Sequence, residues 1–263
     1  MKLIELLIYL TSAWPLWQAW RANRLTTLQH ALAWATAAWL AWAALIVLGD
    51  TGPATLATTR YQALCLTGCA GIAVLGARAP IAGPWNFVLL GLLAVLLLPW
   101  VENVLLGTPL LDPVRLAFVI ITLTVGMVNY LPTRLAGTVI VLAVASGVEL
   151  ALLQGALEEK SSEPWLVHAS RWMIPLGCWL GWLMLRKTPP ASEFDRHWLA
   201  FRDRFGLMWG QRLREQFNRV ATNAGWPVWL RWTGLEGDTH ETKEMVETIV
   251  VMVKRFGTGA SAN

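Results

Sequence analysis

Seven apolar stretches, each close to the length of a bilayer crossing, dominate the chain from its third residue to its 185th. They cover residues 3–20, 27–49, 61–77, 85–106, 114–131, 135–154 and 167–185. A helix rises about 1.5 Å per residue, so roughly 20 apolar residues cross the ~30 Å hydrocarbon layer. The separators carry charge and turn residues: Arg21 and Arg24, Asp50 with Pro53, Arg78 with Pro80 and Pro84, Thr108 to Pro113, Pro132 with Arg134, and Glu158 to Pro164. Two stretches fit the length rule least well. Residues 3–20 are short and contain Pro15, and could instead lie along the membrane interface. Residues 61–77 are short and Gly-rich.

Composition agrees with the pattern. The chain is 56% hydrophobic and 14% charged, against roughly 25% charged residues in water-soluble domains. A water-soluble fold of this size could not cover so much apolar surface, whereas lipid needs no polar coat. The 17 tryptophans suit the membrane interface, apolar on one side and wet on the other. The expected fold class is therefore an all-α polytopic membrane protein. About seven transmembrane helices fill residues 1–188, a small C-terminal cytoplasmic helical domain fills 189–257, and 258–263 fray. The first stretch is expected to remain as a span, since no small-x-small cleavage site follows it.

Orientation follows from Lys and Arg near the span ends, which cytoplasmic loops retain. An outside N-terminus puts Arg21, Arg24, Arg78, Arg134, Arg186 and Lys187 in the cytoplasm. The other side receives Asp50, Glu102, Asp112, Glu158, Glu159 and Glu163, with Arg60, Arg115, Lys160 and Arg171 among them. Nine basic residues face eight acidic ones before Arg186, and twelve face nine from there on. The basic excess thus follows the last span. The Ala-, Leu-, Trp- and Arg-rich, Lys-poor composition points to a bacterial inner membrane.

Ionisable residues inside spans are functional candidates, because a charge in lipid is costly unless paired. Glu102, Arg115, Glu149, His168 and Arg171 fall at similar depth near the outer face. They suit structural ion pairs or a polar site for a substrate or ion. Ridges of small residues, Cys65/Cys69/Ala73/Ala77 and Ala143/Gly147/Ala151, let helices approach closely. They fit packing within the chain, a second copy, or another membrane subunit.

Beyond Pro190 the composition changes. Ser192 starts a helix, and Phe194, Trp198, Phe201, Phe205, Trp209, Leu213, Phe217 and Val220 form one apolar stripe at spacings of three and four. Gly225 and Pro227 close this helix. Its other face carries Arg196, Arg202, Arg204, Arg212 and Arg214 against Asp195, Asp203 and Glu215. Residues 226–232 read as extended, and Thr239 opens a second amphipathic helix. The stripe has three uses: packing on that second helix, lying on anionic headgroups, or docking a membrane or cytoplasmic protein. Nucleic acid is not expected, because the basic residues alternate with acidic ones.

No cofactor or metal is implied. His30 and His168, the histidines near spans, lie at opposite faces, which does not suit transmembrane haem. No paired His or Cys spacing fits zinc, and no phosphate loop or nucleophile elbow occurs. The three cysteines read as small buried residues. The sequence expectation is a non-enzymatic membrane subunit or assembly scaffold. A transporter or channel component with its site at Glu102 and Glu149 is the alternative, and an intramembrane enzyme the third.

Overall fold

The computed structural model describes residues 2–48, 52–78, 82–108, 110–155, 164–187, 192–237 and 241–257, with backbone alone for residues 2, 82 and 164–167. Asp50, Glu158, Glu159, Lys160, Glu163, Thr239, the boundary at 188–190 and the tail 258–263 lie outside these residues. The described chain is all-α apart from one two-stranded hairpin.

Helices α1 (Lys2–Thr11) and α2 (Ala13–Asn23) occupy the first apolar stretch. One helix was expected there, but the chain breaks at Ser12. Pro15 is the cause. It offers no N–H to the Thr11 carbonyl, and its ring crowds that carbonyl four residues back. The buried Ser12 hydroxyl repairs the break, donating to the Tyr9 carbonyl at 2.5 Å and accepting from Trp39 Nε1 at 2.8 Å. Trp39 belongs to α3 (Gln29–Leu48), so the repair also ties α1 to its neighbour.

Helix α4 (Pro53–Ala73) runs into a 3-10 turn at Val74–Gly76. It starts eight residues before the expected Tyr61, because Pro53 suits a first helical turn. Helices α5 (Ala82–Leu106), α6 (Pro113–Val128), α7 (Ala136–Leu153) and α8 (Pro164–Arg186) follow. Asp112 caps α6, accepting the Val114 and Arg115 N–H groups at 2.9 Å each.

Among the described residues, three helices are long and apolar enough to cross a membrane: α3, residues Gly83–Leu106 of α5, and α7. Helix α6 is shorter, at 16 residues. Helix α4 carries Arg60 and several threonines, and its position explains that. It packs against α3, α5, α6 and α7 at once, so its surroundings are protein and it needs no apolar coat.

The ridge Cys65, Cys69, Ala73 and Ala77 is buried in this packing. The crossing with α6 is closest midway between Cys69 and Ala73, where a Cβ on Gly71 would lie 2.8 Å from Gly126 Cα. The second ridge behaves differently. Gly147 is exposed, and a Cβ there would meet nothing within 4 Å.

In the tail, α9 (Glu193–Asn223) is capped by Ser192, whose hydroxyl accepts the Asp195 N–H at 3.2 Å. The hairpin pairs β1 (Val228–Leu230) with β2 (Leu235–Gly237), and α10 (Lys243–Lys254) follows with Thr242 as its cap. Two expectations are corrected here. The second helix opens at Thr242 rather than Thr239, and α9 is not continuous. It breaks at Gly206, where φ is +77°. Asn129, just past α6, enters the break. Its carbonyl accepts the Leu207 N–H at 2.6 Å and its Oδ1 accepts the Met208 N–H at 3.0 Å. Those amides would otherwise be the unpaired start of a new helix. A Cβ at Gly206 would strike the Asn129 carboxamide at 2.2 Å, so both backbone angle and space demand glycine.

Two hydrophobic clusters result. One fills the helical body around Tyr9, Trp42, Leu45, Tyr61, Leu64 and Leu96. The other joins the α9 stripe and α10 to Leu28, Ala31, Val74 and Leu89, at the ends of α3, α4 and α5. The tail therefore rests on the helical body. It meets the α2–α3 turn, the end of α4 and the α6–α7 turn on one side of the bundle.

Candidate functional site

The five ionisable residues expected at one depth fall into separate ion pairs. At one site Arg115 of α6 bonds Glu102 of α5, and its Nε lies 3.0 Å from Asp112 Oδ2. These side chains are partly exposed. Glu149 of α7 has other partners and is fully buried, at 0% exposure. Its Oε2 accepts from Arg60 Nε of α4 at 2.8 Å, and its Oε1 accepts from Ser170 Oγ of α8 at 2.6 Å. His168 and Arg171 flank Ser170 on α8 and turn to a third carboxylate, Glu5 of α1. His168 Nδ1 lies 2.6 Å from Glu5 Oε1, and Arg171 Nη1 lies 4.0 Å from Oε2.

Helix α8 thus joins two buried carboxylates, Glu5 and Glu149, through three residues in one turn. Glu5, Arg60, Glu149, His168, Ser170 and Arg171 form one connected set of contacts, and Glu102, Asp112 and Arg115 form another. The Glu149 half is closed by good bonds. The Glu5 half is looser, for Glu5 Oε2 and Arg171 Nε have no hydrogen-bond partner among the described residues. A recess of about 300 Å³, walled by Ala57, Asn103, Leu153 and Gln154, lies one helical turn from both Arg60 and Glu149.

Sequence reasoning missed two members. Arg60 was placed in a loop because α4 was begun too late. The Pro53 signal could have found it. Glu5 was passed over inside an apolar run, although a lone acid between Ile4 and Leu6 is itself a signal. The described residues hold no group of three His, Cys, Asp or Glu that could bind a metal ion. Cys65 and Cys69 are buried free thiols.

The tail changes the reading of the aromatic face. Phe194, Trp198, Phe201, Phe205, Trp209, Leu213 and Phe217 are all buried in the cluster shared with α10 and the helical body. The expectation that this stripe is presented to a partner or the membrane surface is corrected, because the chain covers it itself. Arg202 also moves inside. Its guanidinium and that of Arg134 share the buried Asp203: Arg202 Nη2 donates to Oδ1 at 2.7 Å and Arg134 Nε to Oδ2 at 2.5 Å. Arg196, Arg204 and Arg212 remain exposed, and Arg214 is half-buried.

Further bonds fasten the tail. Trp209 Nε1 donates to the Val74 carbonyl at 3.0 Å, and the Tyr130 hydroxyl donates to the Arg204 carbonyl at 3.0 Å. The Phe256 carbonyl accepts the Thr27 N–H at 3.1 Å, beside an antiparallel bridge between Thr26 and Gly257. At the start of α9, Glu241 accepts the Phe194 and Glu193 N–H groups at 3.0 and 3.2 Å. Chiefly the Phe194 bond holds the Glu241 carboxyl below the usual carboxylate range.

No protein family model, curated protein or solved structure matches the chain. Function is therefore argued from geometry. A closed ion pair such as Arg60–Glu149 orients helices, and removing one partner strands a buried charge. A looser carboxylate such as Glu5, with a histidine beside it, is better suited to exchange a proton or hold a cation.

Proposed function

We propose that the chain is a non-enzymatic, multi-pass membrane subunit that serves as an assembly or anchoring platform. In this reading seven segments cross a bacterial inner membrane, with the N-terminus outside and the C-terminus in the cytoplasm. The fastening of the tail carries the proposal. Bonds from α9, the hairpin and the end of α10 reach the α2–α3 turn, Val74 and the α6–α7 turn, making one body with the spans. These ends carry Arg21, Arg24, Arg78, Arg134, Arg186 and Lys187, the side that basic loops assign to the cytoplasm. With the aromatic stripe used internally, the exposed Arg196, Arg212 and Arg219 offer the platform's polar face to a partner protein.

Affinity purification of the full chain in mild detergent tests this reading. A second protein in stoichiometric amount is the expected result. A pure, partner-free monomer contradicts it. A transporter is the second reading, favoured by the loosely paired Glu5 and the recess one turn from Arg60 and Glu149. Its mark would be a partner-free protein stabilised against heat by a small solute or ion, with the gain lost in Glu5→Gln.

A further inference from the structure

We propose that the groove between α9 and α10, beside the tail-side ends of the spans, binds an anionic phospholipid of the adjoining leaflet. The groove encloses about 450 Å³. Half-buried Ala200, Val250 and Val253 and the edges of the buried Phe201, Phe205 and Phe256 form its apolar lining, with His197, Arg204 and Lys254 beside them. No acidic side chain lines it, and none of these three basic residues has an ion-pair partner among the described residues. The charges of Arg204 and Lys254 are thus left without a counter-charge in the groove, which favours an anion there.

Arg204 shows the imbalance most clearly. It reaches solvent, yet the protein around it desolvates the guanidinium and lowers its pKa. Arg204 also lies close to the apolar surface of the spans. Just past the Gly206 break, Leu207 and Met208 share an apolar recess of about 380 Å³ with Val125 and Val128 of α6. Met208, Val125 and Val128 are exposed, as lipid-facing residues would be. The break therefore falls where the apolar belt ends, and Arg204 stands at headgroup depth. Cations at that depth attract anionic headgroups, and the lining valines and ring edges suit an acyl chain. A soluble anion would make no use of them.

The inference rests on the membrane reading above. The test uses the full chain incorporated into vesicles of phosphatidylcholine, alone or mixed with phosphatidylglycerol. The protein is then gently extracted, and its retained lipids are counted by native mass spectrometry. Phosphatidylglycerol is expected to be retained in preference, with R204Q/K254Q lowering its retention about tenfold. Ala200→Phe, which fills the lined space and leaves the charges, should lower it as well. Arg204→Lys and the distant Arg219→Gln should retain it. Equal retention of the two lipids, or full retention by R204Q/K254Q, overturns the proposal alone. Displacement of the lipid by millimolar inorganic phosphate overturns it in favour of a soluble anion. Failure to enter either vesicle overturns the membrane reading and this proposal with it.

Discussion

In the helical body, Phe87 and Val114 stand outward at 81% and 78% exposure while Glu149 is wholly covered. In the tail, Trp198 and Phe217 are covered and Arg196 and Arg219 stand outward. One chain therefore follows opposite burial rules on its two sides. An apolar surround explains the first arrangement, since outward phenylalanines cost nothing in lipid and charges must be paired inside. Water explains the second. The two rules meet at Gly206, where a carboxamide from the α6–α7 turn restarts a helix of the tail. Membership of the two cores also differs. The body's core holds its own helices, whereas the tail's core borrows Leu28, Val74 and Leu89 from the body.

Five substitutions would break or sharpen this contrast, each read by thermal or denaturant unfolding of the purified protein. Glu149→Leu should be the most damaging, since it strands Arg60 in the body at a cost of about 3–5 kcal/mol. Adding Arg60→Met should recover part of that loss. A double variant no better than the single one would refute the closed pair. Trp198→Ala should cost about 3–5 kcal/mol through its cavity, but in the tail alone. Helix packing in the body, followed by accessibility of Gly147→Cys, should remain unchanged.

Asn129→Ala tests the boundary. Losing the side-chain cap of Met208 should cost about 1 kcal/mol and speed hydrogen exchange at that amide. Unaltered exchange would mean that the carboxamide is dispensable. Gly206→Ala, strained at φ +77° and crowded by Asn129, should cost more than Asn129→Ala.

The smallest effect is pH-linked. The folded pKa of Glu241 lies below its unfolded value, because the Phe194 and Glu193 amides favour the carboxylate. Its stabilisation is therefore present above the usual carboxylate value of about 4.3 and is lost as pH falls through the lowered value. Glu241→Gln should abolish that part of the acid sensitivity and leave stability at pH 8 slightly reduced. An unchanged acid profile would remove Glu241 from the account.

Much of the fold could be read from residue order. Apolar length and turn residues located α3, α5, α6, α7 and α8 to within a few residues, and Ser192 marked the start of α9. The misreadings have physical causes. Residues 3–20 were read as one stretch containing Pro15, whereas the chain ends a helix before Pro15 and repairs the gap with Ser12. Gly206 sits in an unbroken apolar stripe, so spacing alone hides a break that exists because Asn129 enters it from 77 residues earlier. The candidate site was legible only in part. Glu149, His168 and Arg171 stood out as ionisable residues within apolar stretches, but depth along a stretch does not name partners. Arg60 and Glu5 became visible as partners once α1, α4, α7 and α8 were side by side. The tail's aromatic stripe was legible as an apolar face with packing on the second helix among its three uses, while the part of the helical body that also covers it was not.

The central claim is that the tail and the helical body form one unit, and the bridge between Thr26 and Gly257 tests it most directly. Antiparallel bridge partners lie about 4.5–5.5 Å apart at Cα, within disulfide range. T26C/G257C, made with the three native cysteines replaced and oxidised in native membranes, should close to an intramolecular disulfide in nearly every molecule. Free thiols, or links only between molecules, would contradict the account.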